Sequence, residues 1–178
     1  MKIYTDAVRF AKIAHYGQYR RFTGDQYITH PMAVVKILRY FGLFTPITGA
    51  KAVMHDVVED TETTLEDIRY RFGDEIANSC FRLCDPEALS PMPEYSKQQK
   101  LDRYGVNIQC GTSTDVNIKL ADIMHNVPSM VMFAKHAKAL SYVREKKYFL
   151  KYLTHGDPDL YYAVSQMLKE QEAYLIAL

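Results

Sequence analysis

Apolar side chains recur at helical spacing along most of this chain, in Ile3 to His15, Pro31 to Phe41, Thr48 to Val58, Thr64 to Phe72, Gly73 to Cys84 and Thr114 to Ala134. Each stretch predicts a helix with one inward stripe. No run alternates apolar and polar residues for long enough to make a strand, and no segment repeats. Thr63 with Glu66 predicts a capping box opening the helix that carries Leu65, Ile68 and Phe72. Asp157-Pro158 supplies an N-cap and a first-turn proline for a last helix reaching towards Leu178. Pro86, Pro91 and Pro93 break the pattern over Asp85 to Pro93, which is predicted as a mobile loop. A polar helix follows over Glu94 to Tyr104, its Lys97, Lys100 and Arg103 read as a solvated face. The expectation is an all-α, single-domain helical bundle over residues 1–178, with helices over 138–178 completing it.

One predicted helix carries an unusual load. His55-Asp56-Val57-Val58-Glu59-Asp60 ends an otherwise apolar segment. On one continuous helix, His55 and Glu59 lie i,i+4 on a face, with Asp56 and Asp60 beside them. Burying an imidazole and several carboxylates is costly unless they are neutralised, and a divalent cation does so most simply. The plainer reading is an amphipathic helix whose acidic end faces water. Two further stretches weigh against that. His30-Pro31 stands at the mouth of the second helix, Pro31 in its first turn. Asp122 interrupts a core pattern of Val116, Ile118, Leu120, Ile123, Met124 and Val127, and an Asp among core positions is usually paired or metal-bound. His30, His55, Asp56 and Asp122 thus form a candidate two-His, two-Asp site. Mixed nitrogen and oxygen donors suit Mn, Fe, Zn or Mg at an open catalytic position better than a closed structural zinc.

The order H…HD…D resembles the HD-domain metal-dependent phosphohydrolases. The likeness narrows with Ala14-His15-Tyr16-Gly17-Gln18, Arg20 to Pro31, His55 to Thr61 (HDVVEDT), Phe72-Gly73 and Lys119-Leu120-Ala121-Asp122. Together these resemble the RelA/SpoT-type alarmone hydrolase domain, over roughly residues 3–135. The resemblance implies an HD-type bundle and one divalent ion, typically Mn, on His30, His55, Asp56 and Asp122. It implies that Glu59 and Asp60 position and activate water, that Arg20 or Arg21 contacts the base or a phosphate, and that Asn126 and Ser129 line the nucleotide pocket. The substrate it implies is a ppGpp-like nucleotide, cut at the 3′-pyrophosphate, and it brings the helix over Glu94 to Tyr104 near the site, which makes distal phosphates the alternative partners of Lys97, Lys100 and Arg103. The chain departs from the pattern in the longer Arg20-Arg21-Phe22-Thr23-Gly24 run, and at Gln26, Ile123 and Pro128. These departures keep open NADPH 2′-phosphate or another nucleotide ester as substrate, and a nucleotide-sensing module without turnover.

The residues support the same chemistry on their own. Glu59 can act as general base towards a water activated by the metal. Arg20, Arg21 and Lys119 are the cations placed by motif order to meet phosphate; their plainer readings are a solvated pair and a snorkelling lysine. His15 is a core or pocket-wall residue, His125 a packing group or a partner of the ligands, and His136 and His155 are surface residues. The Tyr-rich tail, Tyr142, Tyr148, Tyr152, Tyr161, Tyr162 and Tyr174, reads as packing or a partner face. A net charge of +1 gives no electrostatic case for nucleic acid. No apolar run approaches the ~20 residues of a membrane span, and the start resembles no signal peptide, so a cytoplasmic location is expected. A homo-oligomer is compatible with the chain. Cys80 and Cys84 are read as plain buried thiols, not a zinc set or a disulfide.

Overall fold

A computed structural model describes all residues, 1–178. The helices are α1 (Lys2–Ala14), α2 (Thr29–Tyr40), α3 (Pro46–Met54), α4 (Val57–Asp60), α5 (Leu65–Phe72), α6 (Asp74–Leu83), α7 (Pro86–Leu89), α8 (Lys97–Gln109), α9 (Ser113–Phe133), α10 (His136–Phe149) and α11 (Pro158–Ala177). A 3₁₀ turn, Leu150–Tyr152, links the last two. The only extended pairing is an isolated antiparallel bridge between Tyr19 and Gln26.

The helix starts follow elementary capping chemistry. Thr45, Thr64, Ser96, Thr112 and Asp157 each accept a hydrogen bond from a backbone N–H of the first turn. Pro46 and Pro158 stand in first turns, where a missing N–H costs nothing. The capping box of α5 pairs Thr64 with Asp67, one residue later than the predicted Thr63–Glu66. Thr63 is instead drawn to Thr61, whose hydroxyl donates to Thr63 Oγ1 (3.0 Å) and accepts the Thr63 N–H (3.1 Å). The Asp85–Pro93 segment does break the helical pattern, but it contains the short α7 and buries Met92.

The largest difference from the sequence reading lies at the acidic motif. The predicted single helix over 48–58 is two helices, α3 and α4, separated by His55 and Asp56. The His55 Nδ1–H donates to the Ala52 carbonyl at 2.7 Å. That is the carbonyl a continuous helix would offer to the Asp56 amide. Asp56 sits at the edge of the helical region, at φ −97° and ψ −5°. The break replaces the expected i,i+4 face with a corner from which both side chains turn inwards.

Helix α3 lies at the centre, packed on α1, α2, α6 and α9. Helix α9 packs on α2, α10 and α11. Leu38, Val53, Met54, Ile118, Leu120, Ile123, Phe149, Leu160 and Leu168 fill one continuous core between them. Its burial is what holds the ends of α2 and α3 and the middle of α9 against one another. Gly105 on α8 lies against the Tyr152 ring so closely that a Cβ would overlap it. Gly105→Ala is therefore expected to destabilise by about 1–3 kcal/mol through overpacking, despite alanine's better helix propensity. A thermal melt checks this, and an unchanged or raised midpoint would show that the Tyr152 ring yields freely.

Candidate metal centre and adjoining cleft

Four side chains converge where α2, the α3–α4 corner and α9 meet. His30 comes from the first turn of α2, His55 and Asp56 from the corner, and Asp122 from the middle of α9. One ligand atom from each of His30, His55 and Asp56 lies within 4.8 Å of the others. Asp122 Oδ1 is 3.2 Å from His30 Nε2 and 3.9 Å from His55 Nε2. His30 Nε2 is 3.3 Å from Asp56 Oδ2, and His55 Nε2 is 3.0 Å from Asp56 Oδ1. The structure thus brings together all four residues that the sequence pairs as ligands.

Their surroundings orient them for a cation. A carbonyl only accepts, so the Nδ1 of His55 carries hydrogen and Nε2 faces the carboxylates. That Nε2 is buried and has no well-formed hydrogen bond. His30 Nδ1 is 2.8 Å from His125 Nδ1. Burial, then the neighbouring charges of His30 and Arg20, lower the His125 pKa to about 4, so a neutral His125 can accept from His30 Nδ1–H. Both imidazoles then present Nε2 to the same point. This is the outer support a metal-ligating histidine normally has.

The charge balance points the same way. Burial acts to raise the Asp56 carboxyl, but the charges of His55 and His30 hold it well below the usual range. Asp122 is likewise held low against burial, by Lys119 first and then the two imidazoles. Burial pulls His55 down, yet Asp56 and Asp122 outweigh it and raise its pKa to about 9. The pocket demands positive charge between two carboxylates, and a divalent ion meets that demand with the donors present. The residues therefore fit a metal.

Around this centre lie the other predicted residues. The Glu59 carboxylate accepts the Asp85 N–H at 2.9 Å, and burial raises its pKa more than that bond and Lys119 lower it. Asp60 Oδ2 accepts from the Tyr27 hydroxyl at 2.6 Å. Lys119 Nζ is 2.9 Å from Asp122 Oδ2 and 5.0 Å from the centre of the Tyr104 ring. It serves Asp122 and is not among the residues lining the cleft beside the centre. That cleft, of about 280 Å³, is lined by Arg20, Arg21, Phe22, Tyr27, Asn126, Ser129 and Tyr142, among others. Arg20 donates to Asn126 Oδ1 at 2.7 Å, and Asn126 Nδ2 donates to Asp122 Oδ1 at 2.5 Å. Arg21 lies over the Phe22 ring instead.

Two residues of the site escape the sequence reading. Tyr142, taken there as packing, lines the cleft. Tyr27 donates towards both Asp56 and Asp60; its place three residues before His30, in the turn leading into α2, was the available signal. Lys100 and Arg103, the alternative phosphate cations, are turned elsewhere. Lys100 pairs with Glu87 and Arg103 lies over Tyr95. His136 is exposed, as expected, and donates to the Leu175 carbonyl.

An HD domain model matches residues 7–145. The chain belongs to the HD domain family. Among HD-domain relatives, it is 36% identical over 141 residues to a GTP pyrophosphokinase of Streptomyces coelicolor, a match covering 78% of this chain and 16% of that protein. It is 32% identical over 124 residues to the guanosine-3′,5′-bis(diphosphate) 3′-pyrophosphohydrolase MESH1 of Xenopus tropicalis, covering 68% of this chain and 66% of that protein. The fold matches the structure of a metazoan ortholog of SpoT that hydrolyses ppGpp, with TM-score 0.81, 21% identity and 96% of each chain covered. The HD domain model thus runs from α1 into α10, the likeness of fold extends over 96% of the chain, and no helix is long and apolar enough to cross a membrane.

The Lys119–Asp122 pair is nearly enclosed, with side chains 12% and 9% exposed. Removing one partner of such a pair costs about 3–5 kcal/mol. Lys119→Met should lower the urea midpoint accordingly, and added Mn²⁺ should restore part of the loss by replacing the missing charge. A midpoint equal to wild type would show that the imidazoles alone neutralise Asp122.

Proposed function

We propose that this chain removes the 3′-pyrophosphate of guanosine alarmones, converting ppGpp and water to GDP and pyrophosphate, and pppGpp to GTP and pyrophosphate. The observation that carries this reading is the position of Asn126. It joins Asp122 of the ligand cluster to Arg20 of the adjoining cleft. The activities of the MESH1 relative and the SpoT ortholog support it. Residues 1–178 would act as one unit, with α10 contributing Tyr142 to the cleft, and the enzyme would work among cytoplasmic nucleotides.

His30, His55, Asp56 and Asp122 would hold one divalent ion, Mn by preference, which when bound supplies Lewis acidity and a more acidic water. The chain's own groups do the rest. Glu59, with its raised pKa, takes a proton from the attacking water as general base. Asp60 orients that water. The water oxygen bonds to the phosphorus attached to the ribose 3′ oxygen, the bond to that oxygen breaks, and that oxygen gains a proton to leave as a 3′ hydroxyl, the proton held by Glu59 being released in balance. Arg20 keeps several N–H donors beyond the one given to Asn126, so it can hold base or phosphate while positioned. Asn126, Ser129 and Tyr142 shape the same cleft, and Arg21 at its rim is the weaker contact.

Product analysis by ion-exchange chromatography with Mn²⁺ tests the reading against ppGpp, NADPH and nucleoside monophosphates. GDP plus pyrophosphate from ppGpp supports it. Phosphate released from NADPH with ppGpp intact would move the substrate, and binding without turnover would leave a sensor. Glu59→Gln should retain metal and nucleotide while kcat falls about 10²–10⁴-fold; an unchanged kcat would make Glu59 structural. Arg20→Ala should raise KM more than Arg21→Ala does, and the reverse order would reassign the contact.

A further inference from the structure

The run Ala14 to Gln18 is left without a role by the ligand cluster and the cleft, yet the structure ties it tightly to the acidic motif. Helix α1 stops at Ala14, and the chain reverses through Gly17, whose φ of +79° suits glycine. His15, only 3% exposed, directs Nδ1 to Gln18 Oε1 at 2.8 Å. The oxygen only accepts, so that nitrogen carries hydrogen. Gln18 Nε2 in turn donates to the Asp60 carbonyl at 2.6 Å. The His15 ring also stacks on Tyr27, with centroids 4.6 Å apart and planes at 27°. The Tyr27 hydroxyl lies 2.7 Å from Asp56 Oδ2 and 2.6 Å from Asp60 Oδ2. The Tyr27 N–H donates to the Gln18 carbonyl at 2.9 Å, closing the unit on itself.

We propose that His15, Gln18 and Tyr27 form a positioning clamp that sets where Asp60 stands relative to Asp56. The inference rests on the reading of Asp56 as a metal ligand and of Asp60 as a residue that orients water. Gln18 grips the Asp60 main chain, Tyr27 grips its carboxylate, and His15 braces both grips. A phenol has one hydrogen. At any moment it serves one carboxylate, so the ligand and the water-orienting group compete for it and are coupled through it. Neither Asp56 nor Asp60 can swing away without losing this bridge, because the Tyr27 ring is fixed from behind by His15.

Tyr27→Phe separates the clamp from packing, since it keeps the ring on His15 and removes only the hydroxyl. Mn²⁺ affinity, read by competition with a chelating dye in the absence of any nucleotide, should weaken about 10–100-fold, as for other outer partners of metal ligands. At saturating Mn²⁺, kcat should also fall while KM stays near wild type. Gln18→Ala removes the main-chain grip without touching Asp56, so it should lower kcat and leave Mn²⁺ affinity unchanged. The double variant should lose less kcat than the product of the two single losses, because both act on Asp60. Wild-type Mn²⁺ affinity and kcat in Tyr27→Phe would overturn the clamp while leaving ppGpp hydrolysis standing. Weaker Mn²⁺ binding by Tyr27→Phe would support the clamp even if ppGpp proved not to be the substrate.

Discussion

Two carboxylates, Asp56 and Asp122, stand within reach of the same two imidazoles in a core built from leucine, isoleucine and valine. Like charges at such spacing in a low-dielectric interior repel unless positive charge lies between or beside them. Much of the surrounding architecture answers that constraint. Lys119 is spent on Asp122. His55 gives one nitrogen to a backbone carbonyl so that the other can face the acids, and the same hydrogen bond marks where α3 ends. His125 stays neutral behind His30. The site is therefore a small electrostatic problem solved by residues from three widely separated helical segments.

The legible part of this molecule was what periodicity and donor chemistry could carry. The helices over 3–15, 31–41, 73–84 and 114–134 appear within a residue or two of their expected bounds, because their apolar periodicity is sustained. His55, Asp56 and Asp122 stood out as candidates because they are polar residues at the end of, or within, apolar patterns, and His30 because it stands beside a first-turn proline at a helix mouth. The break between α3 and α4 was not recoverable from that pattern. It depends on a side chain competing for a helix carbonyl, which leaves no trace in hydrophobic spacing. The shift of the cap from Thr63 to Thr64 has the same origin, since several threonines and acids in succession offer rival hydrogen bonds. Tyr142 was hidden for another reason. It is one of many tyrosines in the C-terminal part, and only the packing of α10 against α9 distinguishes it by turning it to the cleft.

The division of labour between cations follows from burial. Lys119 is enclosed and neutralises a fixed protein charge, so it makes the centre possible without being offered to a ligand. Arg20 stands at the wall of the cleft, already oriented by Asn126 but with donors to spare. Of the departures from the family pattern, the run at Arg20 reaches the cleft wall, whereas Ile123 is buried in the core and Pro128 is exposed outside the cleft.

The hydrogen bonds that close the site span long stretches of chain. Gln18 to Asp60 closes 42 residues, His30 to His125 closes 95, and Arg20 to Asn126 closes 106. Helices α1, α2 and α9 can form from their own local contacts, but none of these ring closures can. Their entropy must be met by the burial of the core between them. Asp60, His125 and Asn126 meet these partners only once α1, α2, the α3–α4 corner and α9 have packed together, so the cluster is put in place by tertiary assembly and not by any one helix.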